Sequence, residues 1–450
     1  MKKLFGTDGI RGVAGKPPLD PATIFATGLC VGRYFAHQSS GSKILIGEDT
    51  RESSRWIAET IAAGCVAAGC QVTSAGVIST PGTAFLTKSR GFAAGIMISA
   101  SHNPYQDNGI KIFSSSGFKL SDATELAIEQ DIAAVLHDAA KVAPQRCPLM
   151  PDASLSVHYI QFLQHSAGAE WKLPGWKIVV DCANGSASAL AGKALAGHGM
   201  KLLLTADQPN GVNINLQCGS LHLDGLRSVV LREKADLGIA FDGDADRALF
   251  VSSSGRIVDG DGVMLAASRY LRAKGKLANG IVVGTLMSNF GLEQALAREG
   301  LQLLRAPVGD RYVLEEMQRT GASLGGEQSG HIIFLDIASS GDGLLTALLL
   351  LRILSENNQS LDDLVRDLAV LPQVIRNVKV RQKVPLEELP QVMDKIHHSQ
   401  EQLGKTGRIV VRYSGTEPLL RVMVEAATEK EVEIHASAIV RAIEESLGVA

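Results

Sequence analysis

A serine, a histidine, an asparagine and a lysine follow one another within residues 98–111, directly after an apolar run at residues 93–98. Pro104 cannot continue a helix and restricts the residue before it, so the sequence predicts one irregular loop here. Ser101 is therefore expected at the exposed carboxyl end of a buried strand. A hydroxyl in such a place is a candidate nucleophile, and the adjacent His102 makes a hydrolase-like serine–histidine pair the first hypothesis.

Three aspartates, Asp242, Asp244 and Asp246, alternate along the chain just after another apolar strand. In an extended chain this period of two directs all three carboxylates to one side, and their repulsion requires a hard cation, for which we predict magnesium. A calcium EF-hand loop would need glycine and glutamate where this chain has Arg247 and Ser253. The other alternative is a solvated acidic turn, although the strand would deliver the loop to the sheet edge where α/β proteins bind ligands.

Residues 324–331 place a carboxylate, a hydroxyl and an imidazole among glycines, which predicts a tight turn. Glu327 and Ser329 suit hydrogen bonds to sugar hydroxyls, and His331 could serve as an acid or a base. Taken alone, the pattern also fits a structural histidine beside an apolar strand.

A loop near the carboxyl terminus combines cations, hydroxyls and a glycine between two apolar strands. The backbone amides, hydroxyls and guanidinium groups of such a turn can form a phosphate cradle. An ordinary β-hairpin explains this loop equally well when it is considered alone. The candidate phosphate ligands are Arg412, Ser414, Gly415, Thr416 and Arg421.

The amino-terminal segment at residues 5–12 is rich in glycine and contains one cation, Arg11. A flexible terminus is the simplest interpretation, but this density of glycine with threonine, aspartate and arginine favours a close approach of the backbone to a ligand. We expect a phosphate or oxyanion contact there. The segment lacks an apolar core, so we do not expect a signal peptide.

The 450 residues are 45% hydrophobic and 20% charged, which indicates a globular chain of several domains. Subtracting 47 acidic from 44 basic residues gives a net charge of −3, so the composition offers no footprint for nucleic acid or an anionic membrane. We expect a small-molecule partner. The six cysteines follow no Cys-x-x-Cys spacing, which favours reduced thiols in the cytoplasm.

Two nucleotide-binding motifs are excluded. Residues 404–406 resemble the end of a P-loop, but Ser399 stands where its first glycine is required. Leu265 likewise stands where a dinucleotide fingerprint beginning at Gly260 needs its third glycine.

Strand-like and helix-like patterns alternate in three successive rounds, which predicts an α/β protein with parallel sheets sandwiched by helices. The longest apolar stretch, residues 343–354, is too short for a bilayer and predicts a buried helix. After Pro372 the pattern changes to that of a small α+β domain. The predicted domains are residues 1–150 with the serine loop, 151–255 with the aspartate loop, 256–370 with the sugar loop and 371–450 with the phosphate loop.

These five loops, in this order, resemble the α-D-phosphohexomutase superfamily, and the resemblance extends over essentially the whole chain. It implies three similar α/β domains with mixed sheets and a smaller carboxyl-terminal α+β domain around a central active-site cleft. One departure is Ala245, where many relatives have glycine. Because alanine reaches a positive φ less easily than glycine, this residue bears on the geometry of the metal loop.

The resemblance also implies roles for the candidate residues. Ser101 would carry the phosphoryl group and, with Asp242, Asp244 and Asp246, would bind one Mg²⁺ ion. Lys111 is the first candidate for the acid/base and His331 the second, whereas His102 would shape the loop. The remaining roles are stabilisation of the phosphoryl group by Arg11 and Arg247, binding of sugar hydroxyls by Glu327 and Ser329, and binding of the distal phosphate by Arg412, Ser414, Gly415, Thr416 and Arg421.

The implied reaction converts glucosamine 6-phosphate to glucosamine 1-phosphate through a 1,6-bisphosphate and supplies the synthesis of UDP-N-acetylglucosamine. Glucosamine or glucose 1,6-bisphosphate would serve as activator, and a homodimer is a further expectation. Gln328 is typical of the glucosamine branch, whereas the mannose and glucose branches more often have methionine there. The alternatives are a phosphomannomutase or phosphoglucomutase and a Mg²⁺-dependent sugar phosphatase.

Overall fold

The computed structural model describes residues 4–6, 8–36, 42–138, 144–414 and 418–448. The chain forms two compact units. Unit 1 comprises Met1–Thr285 and Ala306–Val365, and unit 2 comprises Leu286–Arg305 and Arg366–Ala450.

The first sheet of unit 1 is mixed. Its strands are β1 (Ile10–Val13), β2 (Lys43–Glu48), β3 (Gln71–Val77), β4 (Ala94–Ile98) and β5 (Asp107–Ser114), in the order β1-β5-β4-β2-β3. The accompanying helices are α1 (Pro21–Ala36), α2 (Glu52–Ala67), α3 (Thr80–Ser89) and α4 (Asp122–His137). Strands β2, β3 and β4 are parallel, whereas β5 runs antiparallel to both of its neighbours. Every residue of β4 is buried, because helices cover both faces of a sheet of this kind.

The prediction of a single irregular loop over residues 98–111 was wrong in its second half. Residues 107–114 form β5, and Lys111 lies in that strand opposite Met97 of β4. The apolar alternation at residues 110–113 is short and follows the turn residues Asn103-Pro104 and Asn108-Gly109, which obscured the strand.

The second sheet of unit 1 has the same mixed character. It contains β6 (Lys177–Asp181), β7 (Lys201–Thr205), β8 (Leu237–Phe241), β9 (Ala248–Ser252) and β10 (Ile257–Val258), in the order β10-β9-β8-β6-β7. Its helices are α5 (Ala153–Ala167), α6 (Ala187–Ala194) and α7 (Leu223–Glu233). The fully buried strand β8 is parallel to β6 and antiparallel to β9. The connection between β8 and β9 is therefore a tight turn, and it holds the three aspartates.

The chain continues through α8 (Gly260–Ala273), β11 (Ile281–Thr285), α9 (Phe290–Arg298), β12 (Gln302–Ala306), α10 (Asp310–Thr320), β13 (Leu324–Gly326), β14 (Ile332–Phe334), α11 (Gly343–Asn357) and α12 (Leu361–Leu364). Strand β13 is parallel to β11 and antiparallel to β14, so the predicted sugar loop is the β13–β14 turn. Helix α11 is almost entirely buried, which confirms the prediction of a buried helix from the apolar stretch. The α/β architecture with mixed sheets that the family resemblance implies is confirmed as well. The prediction of parallel sheets from the alternating pattern alone was wrong, because β1, β5, β9, β10 and β14 run antiparallel to their neighbours.

Unit 2 contains α9 and the carboxyl-terminal elements β15 (Gln373–Lys379), α13 (Pro390–Leu403), β16 (Arg408–Tyr413), β17 (Leu419–Glu425) and α14 (Glu429–Leu447). The three strands are antiparallel in the order β15-β17-β16. Thr428 and Glu431 form a capping box at the start of α14, which satisfies amides that the first turn leaves without partners. Buried Glu425 pairs with Arg408 at 2.6 Å within this unit.

All six cysteines are free thiols, as the sequence predicts. In the described part of the chain, no helix combines the length and the apolar character that crossing a bilayer requires.

Candidate active site

The turn between β8 and β9 brings Asp242, Asp244 and Asp246 together as the sequence predicts. One carboxylate oxygen of each lies within 4.8 Å of the others, and all three side chains are buried. Between them Ala245 adopts a left-handed conformation with φ of 55°, which costs about 1 kcal/mol or more for a residue with a Cβ. The Gly343 amide donates to the Ala245 carbonyl at 3.0 Å, so the surrounding structure maintains this strained conformation.

Amides from three helix starts hold the backbone of this turn. Ser186 precedes α6 and donates to the Gly243 carbonyl at 2.8 Å, and Thr80 begins α3 and donates to the Asp244 carbonyl at 3.0 Å. The Ala245 carbonyl is held by the start of α11, as described above. The three carbonyls thus satisfy amides that each helix would otherwise leave without an intrahelical partner.

The chemistry of the turn fits a hard divalent cation. Asp244 Oδ1 and Asp246 Oδ1 are buried and have no hydrogen-bond partner among the described residues. Burial, followed by repulsion from Asp246 and Asp244, raises the pKa of Asp242 well above its usual value. Because a carboxylate-only donor set suits Mg²⁺ or Ca²⁺ better than softer metals, such a cation would relieve both the repulsion and the missing contacts.

Ser101 lies against this cluster. Its Oγ donates to Asp242 Oδ2 at 2.6 Å, and its amide donates to Ser99 Oγ at 3.0 Å. The side chain was expected to be exposed, but the residue is only 1% exposed, because the aspartate turn covers the end of β4. Its φ of 53° is left-handed, so the loop holds this serine in a strained conformation.

His102 lies beside the serine, with Nδ1 at 3.3 Å from Ser101 Oγ. Burial, followed by the charges of Arg247 and Arg11, lowers its pKa to about 4.

Lys111 is the cation of the cluster. Its Nζ lies 2.9 Å from Asp244 Oδ2, 3.5 Å from Asp246 Oδ2 and 3.4 Å from Asp8 Oδ2. Burial opposes the positive charge, but the carboxylates of Asp244, Asp8 and Asp246 outweigh burial and raise the pKa of Lys111 above its usual range. The lysine is therefore held as an ammonium ion. The same contacts identify Asp8, which sequence reasoning did not single out, as part of the site.

Both predicted phosphoryl-binding arginines are in the site. The Arg247 amide donates to Asp242 Oδ1 at 3.1 Å, and its Nε lies 3.8 Å from Asp246 Oδ1. Arg11, in β1, pairs with Asp8. Within the described ranges, the buried Nε atoms of Arg11 and Arg247 have no hydrogen-bond acceptor, so each retains a donor for an anionic ligand.

The β13–β14 turn contributes the predicted sugar-binding residues. Glu327 Oε1 accepts from the Gly309 amide at 3.0 Å, and the Glu327 charge is one of those that raise the pKa of Arg247. Ser329 Oγ and His331 Nδ1 are buried and have no hydrogen-bond partner in the part of the chain that is described. Buried polar atoms without a partner are unusual, and these two lie in the same turn as Glu327, whose charge acts on Arg247.

Lys119 links the amino-terminal loop to this turn, and no sequence pattern had pointed to it. Its Nζ lies 2.5 Å from Asp8 Oδ1 and 2.7 Å from Asp310 Oδ2, and Asp310 Oδ2 lies 3.7 Å from His331 Nε2.

A cavity of about 220 Å³ adjoins Lys119, Asp310 and His331 and has a largely apolar lining. Its apolar walls include Phe113, Phe118, Leu120, Leu314 and Ile333.

The predicted phosphate loop lies in unit 2, where Arg412 of β16 stands directly opposite Arg421 of β17. Two like charges in cross-strand register repel each other, which favours an anion beside them. The Ser414 amide donates to the Leu419 carbonyl at 2.8 Å, so this loop is also the hairpin that the alternative interpretation described. Gly415 and Thr416 lie outside the described residues.

A buried acid supports the aspartate turn from the start of α11. Asp342 Oδ1 accepts from the Leu345 amide at 3.0 Å, and Asp342 Oδ2 accepts from the Tyr159 hydroxyl at 2.7 Å. Burial raises the pKa of Asp342 to about 6, although these hydrogen bonds act in the opposite direction.

We expect Asp342→Asn to become more stable, relative to the wild type, as the pH rises from about 4 to about 6. The folded chain binds the Asp342 proton more tightly than the unfolded chain, so the wild type loses stability between about pH 4 and about pH 6. Asparagine keeps a cap acceptor but carries no charge. The difference in Tm, variant minus wild type, should therefore rise across this interval.

The exposed cap Asp152 provides the control. Hydrogen bonds to Ser154 lower its pKa, so Asp152→Asn should show no such rise in the Tm difference. A pH-independent difference for Asp342→Asn would contradict the prediction.

Comparison with known families gives matches along most of the chain. Models described as phosphoglucomutase/phosphomannomutase match in four segments: alpha/beta/alpha domain I at residues 2–138, alpha/beta/alpha domain II at 157–255, alpha/beta/alpha domain III at 259–370 and the C-terminal domain at 376–442.

Two relatives named phosphoglucosamine mutase are each 50% identical to this chain. The protein from Solibacter usitatus aligns over 99% of both chains, and the protein from Koribacter versatilis over 100% of this chain and 98% of its own.

Among solved structures, a phosphoglucomutase/phosphomannomutase family protein from Burkholderia thailandensis is similar over 100% of both chains, with a TM-score of 0.80 and 23% identity. The N-acetylphosphoglucosamine mutase of Aspergillus fumigatus in complex with GlcNAc-6P and magnesium is similar over 98% of this chain and 95% of its own, with a TM-score of 0.69 and 18% identity. A variant of that enzyme in complex with glucose 1,6-bisphosphate is similar over 99% of this chain and 95% of its own, with a TM-score of 0.66 and 19% identity.

Proposed function

Because the chain belongs to the phosphoglucomutase/phosphomannomutase family, we propose that it interconverts glucosamine 6-phosphate and glucosamine 1-phosphate through a phosphoserine at Ser101. The names of the two relatives at 50% identity support the sugar. The observation that carries the proposal is the 2.6 Å contact between Ser101 Oγ and Asp242 inside a cluster of three aspartates. A serine in that position can pass a phosphoryl group to and from a sugar hydroxyl.

In the first half-reaction, the O1 hydroxyl of glucosamine 6-phosphate attacks the phosphorus of phosphoserine. A new P–O1 bond forms, and the bond between phosphorus and Ser101 Oγ breaks. The Lys111 ammonium gives its proton to the departing Oγ, and His331 Nδ1 accepts the proton of the attacking hydroxyl. The products are glucosamine 1,6-bisphosphate and an unmodified serine, so atoms and protons balance.

In the second half-reaction, the bisphosphate has turned so that its 6-phosphate faces the serine. Ser101 Oγ attacks that phosphorus, its proton returns to Lys111, and His331 returns its proton to O6. Glucosamine 1-phosphate leaves, and the phosphoserine is restored. Arg11 and Arg247 would hold the transferring phosphoryl oxygens, while Glu327 and Ser329 would bind the sugar hydroxyls.

Magnesium held by Asp242, Asp244, Asp246 and a phosphate oxygen on Ser101 would offset the charge of the phosphoryl group. The magnesium in the Aspergillus fumigatus complex supports this choice of ion. Arg412, Ser414, Gly415, Thr416 and Arg421 would bind the phosphate that does not react.

A phosphoserine lost to water would be restored by glucosamine or glucose 1,6-bisphosphate, which would give one phosphoryl group to Ser101 and leave as a monophosphate. The complex of a structural relative with glucose 1,6-bisphosphate supports this activator. We place the reaction in the cytoplasm, where the free cysteines would remain reduced.

Turnover of three sugars tests the proposal. We expect kcat/KM for glucosamine 6-phosphate to exceed that for glucose 6-phosphate and mannose 6-phosphate by about 10-fold or more, because a site built for one substituent leaves polar groups unpaired with another. The assay contains Mg²⁺ and a trace of the matching 1,6-bisphosphate. Equal or lower turnover of the glucosamine compound would contradict the sugar assignment. Release of inorganic phosphate without an isomerised sugar would instead indicate a phosphatase.

A further inference from the structure

Arg51 lies under the serine loop and takes no part in the proposed chemistry. It precedes α2, but its side chain does not cap that helix. The side chain is 0% exposed, so every N–H group that it carries needs an acceptor within the protein.

The guanidinium group finds those acceptors almost entirely in one loop. Arg51 Nε donates to Asp49 Oδ2 at 2.8 Å. The two terminal nitrogens donate to four backbone carbonyls, those of Ser101, Asn103, Pro104 and Asp107. Since an arginine has five N–H donors, these five acceptors match its full capacity.

Asp49 extends the arrangement to the amide of Ser101. It accepts from Ser99 Oγ at 2.7 Å, and Ser99 Oγ in turn accepts from the Ser101 amide at 3.0 Å. The Arg51–Asp49 pair therefore acts on the carbonyl of Ser101 directly and on its amide through one hydroxyl. Asn215 adds a second donor, because its Nδ2 lies 2.9 Å from the Ser101 carbonyl and 3.1 Å from the Asn103 carbonyl.

Ser101 needs such support because its φ of 53° is unfavourable for a residue with a side chain. Without the guanidinium group, several buried carbonyls of the loop would lose a partner and the serine could relax toward an ordinary conformation. That relaxation would move Oγ away from Asp242. A displacement of about 1 Å at a reacting group is enough to lower a rate by about 10²-fold.

We propose that Arg51 is a positioning residue that fixes the backbone of residues 101–107, and with it the place of Ser101 Oγ against the aspartate cluster. Asn215 shares this function from a neighbouring loop. The inference rests on the proposed phosphoserine mechanism and adds a determinant of its rate. Arg51 itself touches neither the sugar nor the aspartates of the cluster.

The test compares Arg51→Lys with the wild type and with Arg55→Lys. Lysine at position 51 keeps the charge but cannot reach four carbonyls with a planar fork, so kcat should fall by about 10²-fold while KM for glucosamine 6-phosphate changes by less than about 3-fold. Arg55 lies one turn further along α2 and pairs with Glu59 and Glu48. Its substitution should leave kcat near the wild-type value.

A phosphorus NMR spectrum of the phosphorylated protein supplies a readout that general destabilisation would not change. Arg51→Lys should shift or broaden the phosphoserine resonance, whereas Arg55→Lys should not. If Arg51→Lys is folded and its kcat stays within about 3-fold of the wild type, the positioning role is refuted. The role is also refuted if kcat falls only in proportion to the fraction of Arg51→Lys protein that is folded.

If the Arg51 variant fails to fold, Asn215→Ala decides. It removes the amide group that donates to the Ser101 and Asn103 carbonyls. We therefore expect kcat to fall by about 10-fold with KM nearly unchanged. Wild-type kcat in this variant would overturn the proposal. Failure of the wild type itself to convert glucosamine 6-phosphate would contradict the proposed function, whereas equal turnover by wild type and Arg51→Lys would contradict only the role of Arg51.

Discussion

Replacing Ser101 by alanine should lower kcat for glucosamine 6-phosphate by about 10⁴-fold or more, even with a trace of its 1,6-bisphosphate present. The reason is that the hydroxyl oxygen of Ser101 is the atom that would carry the phosphoryl group in both half-reactions. The variant should also fail to gain the mass of one phosphoryl group when it is incubated with the bisphosphate. The fold should survive, because the substitution removes only the two contacts of one hydroxyl, the hydrogen bond to Asp242 at 2.6 Å and the longer one with His102 Nδ1 at 3.3 Å.

Ser116→Ala is the matched control. Ser116 lies in the exposed turn after β5, and its hydroxyl contacts Ser114 Oγ at 2.7 Å. Its loss should leave both activity and phosphorylation unchanged. Activity like that of the wild type in Ser101→Ala, or a phosphoryl group on a different residue of the wild type, would refute the phosphoserine mechanism.

Replacing Lys111 by methionine should reduce kcat by about 10²-fold to 10⁴-fold, the range usual for removal of a general acid or base. It should also destabilise the metal-free protein by about 3–5 kcal/mol, because it leaves buried carboxylates without their cation. Those carboxylates are Asp244 and Asp246, whose Oδ2 atoms lie 2.9 and 3.5 Å from Lys111 Nζ. Asp8, which is partly exposed, keeps Arg11 and Lys119 as partners. Methionine fills a similar volume, so lost packing contributes little.

The response to Mg²⁺ separates this electrostatic effect from a packing defect. A divalent cation bound by the aspartates should restore more Tm in Lys111→Met than it adds to the wild type, because it replaces the missing positive charge. Lys88→Met, on the exposed side of α3, is the control and should show the wild-type response. An equal Mg²⁺ response in Lys111→Met and the wild type would contradict the electrostatic explanation.

Ser101 and the three aspartates were predictable because each set directly follows a buried apolar strand, and the chain leaves such strands at the ligand-binding edge of the sheet. Lys111 was identified through the family resemblance, but its strand was missed. Asp49 and Arg51 could also have been noticed, because they stand directly after the apolar run of β2. Charged residues are rarely buried unless they are paired, so this position predicts that the two side chains bind neighbouring groups.

Asp8, Lys119 and Asp310 could not be connected from one sequence. Lys119 joins Asp8, 111 positions before it, to Asp310, 191 positions after it. Local periodicity contains no information about pairs so far apart, because they are set by how separate α/β layers pack.

The phosphate cradle expected at the carboxyl-terminal loop stays a prediction, to which the structure adds the facing pair Arg412 and Arg421.

The attachment of the aspartate turn to the starts of α3, α6 and α11 has a consequence for how unit 1 folds. Each helix belongs to a different stretch of sequence, and the turn acquires its final shape only when all three have docked. An isolated hairpin of β8 and β9 would carry the same aspartates, yet nothing would hold Ala245 in its strained conformation. We therefore expect tight Mg²⁺ affinity to arise at the end of folding, so that the ion recognises the finished unit and does not nucleate it.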